Sequence, residues 1–138
     1  MSYNGICIGL NMDRVYIGGN AFDALVAVST DEHMYGLMYR PWPPPVMVFP
    51  YKVAESRKFW MKNTPSPLDI IFVKAGKIIG IFKGEPFTAI GVGPSEPSDL
   101  VVELPYGTAK NINIAIGDDV RVYYSIDTLV KFMKYGQI

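Results

Sequence analysis

The chain has one cysteine and one histidine among its 138 residues. Cys7 therefore has no intramolecular partner, and nothing in the cysteine usage calls for an oxidising compartment. It is expected to act as a small buried hydrophobe. A single histidine, His33, leaves carboxylates alone to build a metal triad, and no paired spacing suggests one. No apolar run approaches the roughly eighteen residues that span a bilayer. The start "MSYNGICIGLNMDRVYIGG" has no basic opening, long apolar stretch or small-residue cleavage site, so it does not read as a signal peptide. A cytoplasmic location without a membrane partner is the expectation. Charge of one sign is also missing: thirteen Lys and Arg balance thirteen Asp and Glu. No long-range field draws in a phosphate backbone, and nucleic acid is not expected as a partner.

What the chain does have is apolar mass, 49% of residues, enough to bury a core in one domain over residues 1–138. "ALVAV" at Ala24–Val28 reads as a strand. Ser29 followed by Glu32 has the spacing of a capping box, so a short helix should run to about Met38. "PWPPP" removes several backbone donors in succession and predicts an extended connection. The segments "VMVF", "KFWM", "LDIIFV" and "KIIGIF" are β-rich, and "LDIIFV-KAG-KIIGIF" predicts a hairpin turning at Gly76. "KGEPFTAIGVGPSEPSD" is too dense in Gly and Pro for more than one short strand near Thr88–Val92. "LVVEL" is another strand, "GTAKNINI" a short helix capped at Thr108, and "GDDVRVYY" a turn into a last strand. In the tail, Ile126, Leu129, Val130 and Met133 share one helical face. The expected fold class is mainly β (α+β): an antiparallel β-sandwich or partly closed β-barrel with two or three short helices.

The ordered blocks "STDEHMYGLMYR", "MVFPY", "FWMKNTPSPLDIIFV" and "VVELPYGTAKNINIAIGDDV" resemble the family of domains of unknown function numbered 192 (DUF192), found in bacteria, archaea and some phages. The resemblance covers roughly residues 24–122 and leaves 123–138 as a strand end and helical tail. It implies a compact, mostly β domain and no particular activity. Many members carry an N-terminal signal, from which this chain departs. It departs also at "PWPPPVM", where members usually have a glycine before the strand.

Strand alternation puts Trp60, Lys62 and Thr64 on one side of their segment and Phe59, Met61 and Asn63 on the other. In "LDIIFV", Leu68, Ile70 and Phe72 face together, which leaves the Asp69 carboxylate beside Ile71 and Val73 on an apolar face. A charge there must be paired, and Lys62, Arg40 or the donors of the "NTPSP" turn are nearest in sequence. Two accounts fit. Asp69 and Asn63 staple the proline-rich turn, as Asx residues commonly do. Alternatively, Trp60, Lys62, Asn63 and Asp69, with Arg40 and Glu103, line a groove with an aromatic floor for a small molecule. His33 is expected to be an exposed helix residue. "IGVGPSE" lacks the third glycine and the helix of a dinucleotide loop, and no cofactor is expected. The leading functional expectation is a non-enzymatic ligand-binding or accessory module. The rivals are an enzyme acting on a small substrate with Lys62 and Asp69 as an acid–base pair, and a protein-interaction domain using the C-terminal helix, which is also the surface expected to join copies in any homo-oligomer.

Overall fold

The computed structural model describes residues 12–135, and before them the backbone of two short paired strands, β1 (Ser2–Tyr3) and β2 (Ile6–Cys7). The side chain of Cys7, expected to be buried, lies outside the described residues.

The domain is one curled seven-stranded sheet. β3 (Arg14–Ile17) and β4 (Asn20–Val26) form a hairpin over Gly18 and Gly19, whose φ values of 54° and 86° suit a tight two-residue turn. This hairpin lies largely before Ala24, where the expected domain core begins, and is not among the expected elements. α1 (Thr30–Tyr35) follows, with Ser29 and Glu32 making both bonds of the predicted capping box. Its last residue, Tyr35, is three short of the expected Met38, because Gly36 leaves helical geometry at φ 52°. β5 (Val46–Glu55) then pairs parallel to β4, the one parallel pair in this sheet. β6 (Leu68–Lys74) and β7 (Lys77–Gly84) are the predicted hairpin, turning on Ala75 and Gly76 with φ of 49° and 78°. β8 (Ser98–Pro105) inserts between β5 and β6, and β9 (Val120–Tyr123) adds to β3. The spatial order is β7-β6-β8-β5-β4-β3-β9.

The two edge strands approach each other at one end. Lys77 bridges Asp119 through backbone and ion pair, Ile78 N–H donates to the Asp118 carbonyl at 3.0 Å, and Val120 N–H to Gly76 at 2.9 Å. The sheet is thus a half-barrel, in keeping with the expected partly closed barrel. One core cluster draws on every strand from β3 to β9, among them Val15, Val48, Ile71 and Val102. A second, on the other face, holds Phe49, Met61, Ile70, Phe72 and Val101. β6 is buried on both faces, which explains its continuous apolar run.

Three local expectations change. "KFWM" is not a strand: Phe59 makes one isolated bridge to Val92, and Met61 N–H reaches the Thr88 carbonyl at 2.8 Å. Burial still alternates there, with Met61 inside and Trp60 and Lys62 outside. α2 (Thr108–Asn111) is not capped by Thr108, whose hydroxyl donates to Pro105 instead. In α3 (Ile126–Tyr135) the buried side is Thr128 and Phe132, with Leu129 half-buried, while Ile126, Val130 and Met133 stay exposed. Phe132 meets Tyr124 edge-on at 4.9 Å and joins the first core. Ser125 and Asp13 fix the start of α3, Ser125 Oγ accepting from Thr128 N–H and Asp13 accepting from Ser125 N–H and the Thr128 hydroxyl.

Candidate functional site

On the second face of the sheet, an open cavity of about 320 Å³ lies between α1, β5, β8 and the segment 58–64. Its residues are placed by simple geometry. Met47 and Phe49 of β5 and Val101 and Glu103 of β8 project to the same face, because Met47 pairs with Glu103 and Phe49 with Val101. Ile70 of β6 pairs with Glu103 from the other side. The capping box holds α1 above this floor, and Gly36 brings the chain down close to it. A Cβ on Gly36 would stand 3.5 Å from the Phe49 ring and 3.9 Å from Glu103 Oε1.

Aromatic rings line the wall in sequence. Tyr51 and His33 lie 5.0 Å apart, His33 and Phe49 5.9 Å, and Phe49 and Phe59 5.1 Å, the last nearly perpendicular. The edge-to-face row continues beneath through Phe72 and Phe82. The half-buried His33 is not the exposed helix residue expected. Its Nδ1 lies 3.0 Å from the Ser29 carbonyl and its Nε2 2.9 Å from that of Pro50, tying α1 to β5. A neutral ring can donate to only one of the two. Arg57 stacks its guanidinium 3.4 Å from the Tyr51 centroid, and burial pushes the Tyr51 phenol up to about 12.

The unusual group is Glu103. It is 4% exposed, no described residue donates to its carboxyl or forms an ion pair with it, and burial alone pushes its carboxyl up to about 8. Trp60 and Lys62 stand at the cavity mouth, Trp60 43% exposed and the Lys62 ammonium 5.3 Å from its ring. Lys58, also at the mouth, donates to the carbonyls of Gly93 and Pro94.

Of the residues singled out in the sequence, Trp60, Lys62 and Glu103 line this cavity together. Asn63 stands behind the wall, its carbonyl accepting from Tyr39 N–H at 2.8 Å and its amide against the Met38 sulfur. Arg40 lies in a different cleft with Asp13, Glu32 and Lys131. Asp69 points to the opposite face of the sheet, since it pairs with Leu104 rather than Glu103. Its partners are neither Lys62, Arg40 nor the "NTPSP" turn. The Asp69 carboxylate accepts Ala109 N–H at 2.9 Å and faces the amides of Gly107 and Thr108, capping α2 from across the fold. Burial raises its carboxyl above the usual value, and these amides draw it part of the way back. The turn is stapled instead by Thr64 and by Ser66, whose hydroxyl donates to the Arg40 carbonyl at 3.0 Å. Lys62 and Asp69 do not form an acid–base pair.

Among the described residues there is no group of three His, Cys, Asp or Glu placed to hold a metal, and no helix long and apolar enough to cross a membrane. The residues missed in the sequence are His33, Phe49, Tyr51 and Phe59. Phe49 and Phe59 carried only the signal of ordinary core positions.

The DUF192 family model, described as an uncharacterized ACR, matches residues 14–122, which is β3 to β9. No curated protein sequence matches the chain. Similar solved structures include the following two. A protein of unknown function from Novosphingobium aromaticivorans DSM 12444 is 29% identical with a TM-score of 0.72, over 78% of this chain and 83% of that one. A candidate transcription regulator from Sinorhizobium meliloti 1021 is 30% identical with a TM-score of 0.72, over 83% and 97%.

Proposed function

We propose that this chain, which belongs to the DUF192 family of uncharacterized proteins, is a non-enzymatic module that binds a small molecule in the cavity over Glu103. The observation that carries this reading is an unpaired carboxyl, 4% exposed, opening into an aromatic-walled cavity. Burying an acid without a partner is costly. A fold optimised for stability alone would place an apolar residue there, as it does at the paired position Ile70. A few directed polar groups within apolar walls are the usual composition of small-ligand sites, and 320 Å³ stands at the lower end of their range of about 300–1,000 Å³. That size suits a fragment-sized ligand rather than a polymer.

An enzymatic reading finds less support. The cavity has one buried acid, and the two ring nitrogens of its histidine face backbone carbonyls rather than that acid. Among the described residues around it, no nucleophile stands beside a free base. The balanced charge likewise gives no support to a nucleic-acid role.

A thermal-shift screen of small amines, acids, sugars and heterocycles tests the reading. Compounds that raise the Tm of the parent protein should lose most of their effect in a Trp60→Ala variant, which alters the mouth without opening the core. A screen without hits, or hits indifferent to Trp60, would count against it.

A further inference from the structure

We infer that the ligand of this cavity carries a protonated amine on an apolar or aromatic body, with the ammonium seated on Glu103 and the body against Phe49, Tyr51 and Phe59. This rests on the proposed binding reading and deepens it. No described residue donates to the Glu103 carboxyl at the floor of the cavity, so a ligand that pairs with its ionised form must supply the hydrogen. An ammonium supplies it together with the charge that a buried carboxylate lacks, and a buried carboxylate is tolerated when such a partner completes it. The walls favour the same choice, because aromatic rings attract a desolvated cation through their quadrupoles. An anionic end at this depth would meet Glu103 directly.

The positive groups nearby do not compete for the seat. Lys58 is held by the Gly93 and Pro94 carbonyls, and Lys62 sits at the exposed mouth beside Trp60. The other ionisable groups lining the cavity are His33 and Tyr35 of α1 and Tyr51 of β5. From β6 the paired neighbour is the apolar Ile70, and Asp69 faces away.

Proton linkage follows from this arrangement. The free carboxyl is neutral below about pH 8 and must lose its proton to receive a cation. Amine affinity should therefore rise with pH, by as much as about tenfold per unit between pH 6 and 7.5, with a proton released on binding.

The test uses phenethylamine, 2-phenylethanol and 3-phenylpropanoate, titrated calorimetrically into the full chain at pH 6.0, 6.75 and 7.5 in buffers of different ionisation enthalpy. The inference expects the amine to bind at least about tenfold more tightly than the alcohol at pH 7.5. The carboxylate should bind weakest. Glu103→Gln should abolish both the amine preference and the pH slope. Equal or tighter binding of the alcohol or carboxylate would overturn the amine inference alone and leave the binding site standing. A slope that persists in Glu103→Gln would assign the proton to His33 and overturn it as well. If none of the three binds, both the inference and the binding reading fall.

Discussion

Glu103 Oε1 lies 3.9 Å from where a Cβ on Gly36 would stand, an ordinary contact distance, so the chain leaving α1 roofs the acid closely and the demand for glycine comes from the backbone. Gly36 has φ 52° and ψ −129°, a conformation open to glycine and strained for any other residue. Gly36→Ala should cost about 1–3 kcal/mol by denaturant unfolding and weaken any ligand that reaches Glu103. A variant as stable as the parent would contradict the strained geometry.

The buried acid makes stability depend on pH in a definite sense. Its folded value of about 8 lies above the ordinary 4.5, so the favourable neutral form is fully present below about pH 4.5 and is lost as pH rises through about 8. Glu103→Gln should match the parent near pH 4 and exceed it at pH 8. The gap should widen by at most about 1.4 kcal/mol per pH unit in between. Other titrating groups, Asp69 among them, are common to both proteins and cancel in the difference. Urea unfolding at four pH values checks this, and a gap independent of pH would show that Glu103 is not buried as described.

Asp69 should prove structural. Asp69→Ala leaves the amides at the start of α2 without their acceptor and should cost about 1–2 kcal/mol. It should leave binding in the cavity unchanged, since the carboxylate faces the other side of the sheet. An undiminished urea midpoint would refute the cap, and lost ligand binding would refute the separation of the two faces.

The tail divides by side. Phe132, 2% exposed, should cost about 3–5 kcal/mol when replaced by Ala. Met133, its neighbour at 76% exposure, should cost no more than about 0.5 kcal/mol. Reversed effects would mean that α3 packs by the face first expected from its sequence.

What could be read in the sequence was local. The β6–β7 hairpin lies within seventeen residues and carries its own turn signal, and the Ser29–Glu32 box is a contact between positions three apart. The two faces of β6 were legible for the same reason, since strand alternation needs no knowledge of partners. Asp69 was rightly placed on an apolar face, but its partner Ala109 is forty residues on, and proximity in sequence pointed to the wrong donors. The cavity was half legible. Trp60, Lys62 and Glu103 stood out as polar or amphipathic groups among apolar ones, whereas His33 reached the site only because the parallel β4–β5 crossover lays α1 over β5. That pairing is long-range, and no local pattern encodes it.

The most direct measurement is a fluorescence titration of a Trp42→Phe variant, in which Trp60 at the cavity mouth is the one remaining tryptophan and Trp42, outside the cavity, no longer contributes. Phenethylamine added at pH 7.5 should change Trp60 emission along a saturable curve, and the same titration of a Trp42→Phe, Glu103→Gln double variant should shift the midpoint to at least about tenfold higher concentration. A linear, unsaturable change, or one identical in the two proteins, would contradict a ligand site founded on Glu103.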